Sequence, residues 1–152
     1  MSLHILAVGK KHEGWVSEGI TRYQKRLKAP FSFEWVFMAH SSLDSLSARE
    51  DESGRILSRL TAYDFIILLD ERGKELNSPA FAELLKEHLD HSQKVLIIIG
   101  GAFGVTDELR QRADLVWSLS PLVFPHQLVR LILTEQLYRA QQITLGGSYH
   151  HE

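Results

Sequence analysis

Three stretches of the chain combine residue types that could bind or turn over a ligand. The first is Gly100-Gly101-Ala102-Phe103-Gly104. Glycines let a backbone approach a ligand closely. The spacing is neither a dinucleotide fingerprint nor a phosphate loop, and no Lys-Ser/Thr follows. The helix expected next opens Thr106-Asp107-Glu108. Two carboxylates in a first turn favour the helix but oppose a bound phosphate. The loop therefore suits an uncharged or cationic ligand that hydrogen-bonds to backbone, or it is a tight strand-to-helix turn. The second stretch is Leu119-Ser120-Pro121-Leu122-Val123-Phe124, a loop in which four of six residues are large and apolar. Such a loop needs cover from the core, a partner or an apolar ligand ring. Its peptide groups also need partners, which an adenine edge could supply. His126, just beyond Pro125, falls near the start of the last helix and within reach of a ligand.

The third stretch is Tyr149-His150-His151-Glu152, an aromatic, two imidazoles and a carboxylate behind the most apolar helix. Adjacent histidines need not converge on a metal. His88 and His91, at i and i+3, have no third ligand nearby. Both pairs read as surface histidines, so no metal is expected. Glu135 and Arg139 have the i, i+4 spacing of a helix-surface ion pair. There is no nucleophile-elbow serine, and no carboxylate pair is spaced for glycoside hydrolysis.

The elements that would carry these groups alternate. Apolar runs predict strands over 2–9, 31–38, 64–69, 94–99 and 115–119. The second is expected to turn Phe31, Phe33, Trp35 and Phe37 inward. Helical stripes predict helices over 14–28, closed by Pro30, and over 48–60. Further helices are predicted over 78–89, with Ser78 as N-cap and Pro79 at the first position, over 106–113 and over 125–144. The alternation implies an α/β fold with a mostly parallel sheet and helices on both faces, in one domain over 1–152. Ligands of such sheets sit outside the carboxyl ends of the strands. Leu69–Gly73, Gly100–Gly104 and Leu119–Pro125 would all lie there. The last helix is apolar over more than one face, so it packs on a second copy, as a homodimer, or lies centrally in its own domain.

The chain has 152 residues, enough for a core, and an average proportion of apolar and charged residues. It has no cysteine, which excludes disulfides and thiolate metal sites. No basic n-region with an apolar run opens the sequence, and no apolar run could span a bilayer. A cytoplasmic protein without membrane contact is expected. A net charge of −2 does not suit one that grips a bare duplex. The first thirty residues, however, hold Lys10, Lys11, Arg22, Lys25, Arg26 and Lys28 against only Glu13 and Glu18. This is either a solvated helix face or a docking patch.

Taken together, LHILAVGK (3–10), LDERGK (69–74), IGGAFG (99–104), WSLS (117–120), FPHQLVR (124–130), EQLYRA (135–140) and YH (149–150) carry a resemblance over the whole chain. They resemble the large-subunit ribosomal RNA pseudouridine N3-methyltransferase family of the SPOUT class. The resemblance implies an α/β fold whose C-terminal segment is threaded as a trefoil knot. It also implies a homodimer, S-adenosyl-L-methionine as methyl donor, and a pseudouridine of 23S rRNA in the assembled ribosome as acceptor. By that likeness Leu69, Gly100, Gly101 and the run Leu119, Ser120, Pro121, Leu122, Val123 and Phe124 would hold the cofactor. Tyr149 and His150 would fold over the cofactor pocket and contact the target base. Arg139 would hold a phosphate or the developing imide anion. His126 with Lys10, Lys11, Arg22, Lys25 and Arg26 would face the RNA. Two other readings stay open: a non-catalytic dimeric α/β module that binds a small ligand, and a knotted tRNA methyltransferase.

Overall fold

Five strands in the order β2-β1-β4-β3-β5 form one sheet, parallel at every pairing. The computed structural model describes residues 2–151; Met1 and the tail carboxylate of Glu152 lie outside them. The strands are β1 (Leu3–Val8), β2 (Glu34–Met38), β3 (Phe65–Glu75), β4 (Val95–Ile99) and β5 (Leu115–Ser118). The helices are α1 (Gly14–Gln24), α2 (Ser45–Leu57), α3 (Ser78–Asp90), α4 (Asp107–Arg112) and α5 (His126–Thr144). No helix among the described residues is long and apolar enough to cross a membrane.

The two faces of the sheet follow from the period-2 alternation of its strands. Leu3, Ile5, Ile67, Val95, Ile97 and Trp117 pack with Phe81, Leu85, Leu133 and Leu137 of α3 and α5. Leu6, Val8, Ile66, Leu68, Leu96 and Ile98 pack with Ile56 of α2 and Leu109 of α4 on the other face. The central strands are buried on both sides, so they read as continuous apolar runs. Neighbouring β3 and β4 thus send their chains to opposite faces, to α3 and α4. A crevice opens at such a point, at the carboxyl ends of the strands.

Several element boundaries differ from the sequence reading. α1 ends at Gln24, before Lys28 and Pro30, and the Lys25 N–H closes the last turn on Thr21 O at 3.2 Å. β2 begins only at Glu34; Phe31 and Phe33 are core residues of the lead-in, while Trp35 and Phe37 are half-buried. α2 starts at Ser45 rather than Ala48. β3 continues past Leu69 to Glu75 through a register shift, with both Leu69 and Lys74 opposite Trp117. Gly73 permits this: a β-carbon there would fall 2.5 Å from Val116 O. The N-cap of α3 is Asn77, not Ser78, and Pro79 is the second helical residue. Asn77 Oδ1 accepts from Ala80 N at 2.8 Å, whereas Ser78 Oγ donates to Gln136 Oε1 at 2.7 Å.

Candidate functional site

A cleft of about 540 Å³ opens where the crevice was expected. Leu69 to Arg72, Ile99 to Val105, and Leu119 to Phe124 form its walls, and His126 and Val129 of α5 close one end. The three loops meet because β3, β4 and β5 are neighbours. The glycine loop is a tight turn: Gly104 N donates to Gly101 O at 3.1 Å, and Gly104 has φ +78°. Arg49 Nε donates to Phe103 O at 2.7 Å and pins its tip. A β-carbon on Gly100 would fall 2.9 Å from Val105 Cγ1. The loop is therefore both a turn and a cleft wall.

Asp70, Arg72 and Arg110 of the cleft are paired with one another. Asp70 is held by Arg110 at 2.9 Å and by Arg72 at 3.5 Å. Arg110 also reaches Asp107 at 2.6 Å. Thr106 Oγ1 caps α4 by accepting from Leu109 N at 3.3 Å. The apolar loop is shaped by Ser120, whose Oγ accepts from Leu122 N at 3.0 Å, and by Ser118 Oγ, which donates to Ser120 O at 2.9 Å. Leu122 and Val123 are 68% and 78% exposed, so the core does not cover them. Of the residues expected to hold a cofactor, all but Pro121 line this cleft. His126 lines it too, and burial, followed by the charge of Arg130, lowers its pKa. Its imidazole is neutral near pH 7.

Tyr149, His150 and His151 do not line this cleft. Tyr149 and His150 fold onto α5 and gather with Arg139 around Glu135. Arg139 Nη2 lies 2.7 Å from Glu135 Oε1, and Tyr149 Oη donates to the same oxygen at 3.1 Å. Arg139 Nη1 lies 3.0 Å from His150 Nδ1, and the guanidinium sits 4.8 Å from the centre of the Tyr149 ring. Burial and the Glu135 carboxylate push the Tyr149 phenol up to about 12, so it acts as a hydrogen-bond donor. The three residues expected to act together are thus one cluster, organised by a carboxylate read only as a surface partner of Arg139. His150 borders a second cavity that shares Leu119 and Phe124 with the cleft.

The two buried charged residues among the described residues, Arg130 and Glu52, escaped the sequence reading. Arg130, 1% exposed, donates to Lys10 O at 2.8 Å and lies against His12 and Phe37. Glu52, 3% exposed, accepts from Ser41 N at 2.8 Å, and its Oε1 has no partner. Neither could be found without knowing which distant segments meet. The basic residues are divided. Lys10 and Lys11 are exposed at the carboxyl end of β1, on the rim that carries the cleft. Arg22 and Lys25 border a shallow hollow that runs along α1 from Gly14, and lie about 12–16 Å along the helix from that residue at 1.5 Å per residue. Arg26 is exposed beside them. His88 stacks on Phe65 at 3.6 Å, whereas His91 is exposed at the C-cap of α3, its Nδ1 2.7 Å from Glu87 O.

Residues 1–150 match the protein family described as "Predicted SPOUT methyltransferase". The chain is 42% identical, over 158 residues and 99% of each chain, to ribosomal RNA large subunit methyltransferase H of Desulfitobacterium hafniense (strain DSM 10664 / DCB-2). It is 38% identical, over 156 residues and the whole of both chains, to the protein of that name from Neisseria gonorrhoeae (strain ATCC 700825 / FA 1090). Among solved structures it is similar to a probable methylase family protein from Haemophilus influenzae Rd KW20, with a TM-score of 0.57. The identity there is 13%, and the match covers 95% of this chain and 66% of the other, a likeness of fold.

Proposed function

Because the chain belongs to the SPOUT methyltransferase family, with relatives named ribosomal RNA large subunit methyltransferase H, we propose that it methylates N3 of a pseudouridine in 23S rRNA of the assembled ribosome. S-adenosyl-L-methionine is the methyl donor of this reading. The observation that carries it is the cleft at the ends of β3, β4 and β5. Its walls are glycine backbone and an uncovered apolar loop, with guanidiniums engaged by Asp70 and by Phe103 O, which fits an adenosyl group. Paired carboxylates and guanidiniums at Asp70, Arg72 and Arg110 fit the charges of a sulfonium amino acid. In this reading Leu69, Gly100, Gly101 and the loop from Leu119 to Phe124 hold the donor.

When bound, the donor would supply an electrophilic methyl group on a sulfonium to N3, whose proton would pass to solvent. The residues of the chain orient the acceptor and stabilise the charge that N3 acquires. Arg139 is the cation for that charge, and Tyr149 and His150 contact the target base beside it. Tyr149, with its pKa raised to about 12, holds its proton throughout. His126 and the basic residues of the β1 rim and α1 face the RNA. The reading also takes the chain to act in the cytoplasm as a single domain, a C-terminal trefoil knot and a homodimer. The exposed Leu122 and Val123 and the apolar breadth of α5 favour a second copy.

Mass spectrometry of ribosomal RNA tests this after incubation of intact ribosomes with the protein and S-adenosyl-L-methionine. One added methyl on a pseudouridine is expected, with none on extracted tRNA. Methylation of tRNA alone, or no calorimetric binding of S-adenosyl-L-methionine, overturns the reading. A chain truncated after Gly147 should bind the donor normally and lose methylation; normal turnover would remove the tail from the reaction.

A further inference from the structure

Helix α2 braces the glycine wall of the cleft with three residues spaced i, i+3 and i+4 on one face, Arg49, Glu52 and Ser53. Arg49 Nε donates to Phe103 O at 2.7 Å, and Ser53 Oγ accepts from Thr106 N at 3.0 Å. Glu52 stands between these two ties and is 3% exposed. A β-carbon on Gly101 would fall 2.3 Å from Glu52 Oε1, so the carboxylate lies against the Gly101 backbone. Gly101 itself lines the cleft. Only the thickness of that peptide separates the carboxylate from the cleft.

Glu52 is not neutralised by its neighbours. Oε2 accepts from Ser41 N at 2.8 Å, and Oε1 has no partner. The guanidiniums lining the cleft are engaged elsewhere, Arg49 by Phe103 O, and Arg72 and Arg110 by Asp70. A buried carboxylate is costly unless a cation answers it. A brace alone would not require the charge, since a glutamine fills the same space and accepts the same hydrogen bond. The field of Glu52 reaches the cleft. At His126, on the cleft wall, burial and the charge of Arg130 lower the pKa, and the charge of Glu52 opposes them. The cation that would answer Glu52 belongs on the cleft side of Gly101.

We infer that Glu52 sets the preference of the cleft for a cationic ligand, and so for the charged methyl donor over its spent, neutral form. The inference rests on the methyltransferase reading above and assigns a specificity-determining residue of that donor site. S-adenosyl-L-methionine and S-adenosylhomocysteine differ by one methyl and by one positive charge on sulfur. A unit charge one peptide layer away shifts affinity by about tenfold at a protein-like effective dielectric. Glu52 acts through this field and touches no reacting atom. The attraction is strongest while the sulfur is charged and is lost with that charge. It therefore lowers KM for the donor without raising kcat, and it lets the spent form leave.

Calorimetry of S-adenosyl-L-methionine and S-adenosylhomocysteine with the full chain and with Glu52→Gln tests this. If neither compound binds the parent protein, the methyltransferase reading fails and the inference with it. If both bind, Glu52→Gln should lower the affinity for S-adenosyl-L-methionine about tenfold and leave that for S-adenosylhomocysteine within about twofold. A loop that merely loses its brace would weaken both alike. Equal losses, or no change in either, overturn the role of Glu52 and leave the methyltransferase reading standing. In ribosome methylation, Glu52→Gln should raise KM for the donor about tenfold with kcat undiminished. A fall in kcat at unchanged KM would also overturn the inference. Should Glu52→Gln fail to fold, Glu52→Ala removes the same charge and vacates the space. The ratio of the two affinities should then change by the same factor of about ten, whatever the loosened loop costs both.

Discussion

A β-carbon on Gly101 would fall 2.3 Å from Oε1 of Glu52, so the carboxylate occupies the space that any side chain at 101 would need. Glu52 cannot yield easily, since it is buried and its other oxygen accepts from Ser41 N. Gly101→Ala should therefore lower stability by about 1–3 kcal/mol, the usual cost of overpacking. Urea unfolding would measure it. Adding Glu52→Ala should recover part of the loss, because the two changes share one space. An unchanged unfolding midpoint in Gly101→Ala would show that the loop relaxes freely.

Glu135 binds both Arg139 and Tyr149 through one oxygen, so it fixes the phenol and the guanidinium that stacks 4.8 Å from its ring centre. Glu135→Ala should slow methylation of ribosomes about a hundredfold, the effect of misplacing a reacting group by an ångström. Calorimetry should find S-adenosyl-L-methionine affinity unaltered. Near-normal turnover would mean that Arg139 and Tyr149 find their places unaided. Tyr149→Phe should leave the shape of the pH profile intact, because a phenol pushed up to about 12 does not titrate in the working range.

The rim was legible in the sequence because parallel strands end on one side of a sheet and apolar runs report strands well, whereas the adjacency of β3, β4 and β5 comes from the tertiary structure. The loops at Leu69, Gly100 and Leu119 therefore line one cleft, as their positions implied. The contents of the site were harder to read. Glu135 and Arg139 look like a surface pair from spacing, but the Tyr149 contact reaches across fourteen positions. By spacing alone Arg130 interrupts the apolar band of the last helix, yet its partner carbonyl at Lys10 is 120 residues away. Local periodicity carries the backbone; the pairing of buried polar groups is fixed by tertiary contacts. Asn77 outcompetes Ser78 as cap for a similar reason, since Gln136 of α5 engages the serine hydroxyl.

His12 is packed against Trp35 at 4.6 Å and Phe37 at 5.2 Å, beside the Arg130 guanidinium. Burial, and then the charge of Arg130, lower its pKa to about 4 from the usual 6.5. The folded chain therefore prefers the neutral ring. That contribution to stability is complete above pH 6.5 and is lost as pH falls from 6.5 to about 4. Urea midpoints should decline over this range, and His12→Gln should flatten the decline. Proton NMR of the His12 ring should titrate near 4; a midpoint close to 6.5 would contradict the burial argument.

Lys10 and Lys11 stand on the rim that carries the cleft, while Arg22 and Lys25 lie toward the other end of α1. The two groups can therefore be tested apart. The Lys10 carbonyl is held by buried Arg130 at 2.8 Å, so the rim loop presents its cations from a fixed backbone. Ordered cations that replace counterions on RNA contribute a salt slope of about 0.7–0.9 per contact. Reversing Lys10 and Lys11 to Glu should reduce that slope for ribosome binding by about 2. It should raise KM for ribosomes more than the same reversal at Arg22 and Lys25, because the rim pair is nearer to the reacting base. Neither pair touches the cleft walls, so donor affinity should stay within about twofold of the parent, the scatter expected of remote surface changes. Filter binding across a salt series, with calorimetry of the donor alongside, separates the outcomes. A large loss of donor binding in the rim variant would mean that Lys10 and Lys11 support the cleft and do not grip the RNA.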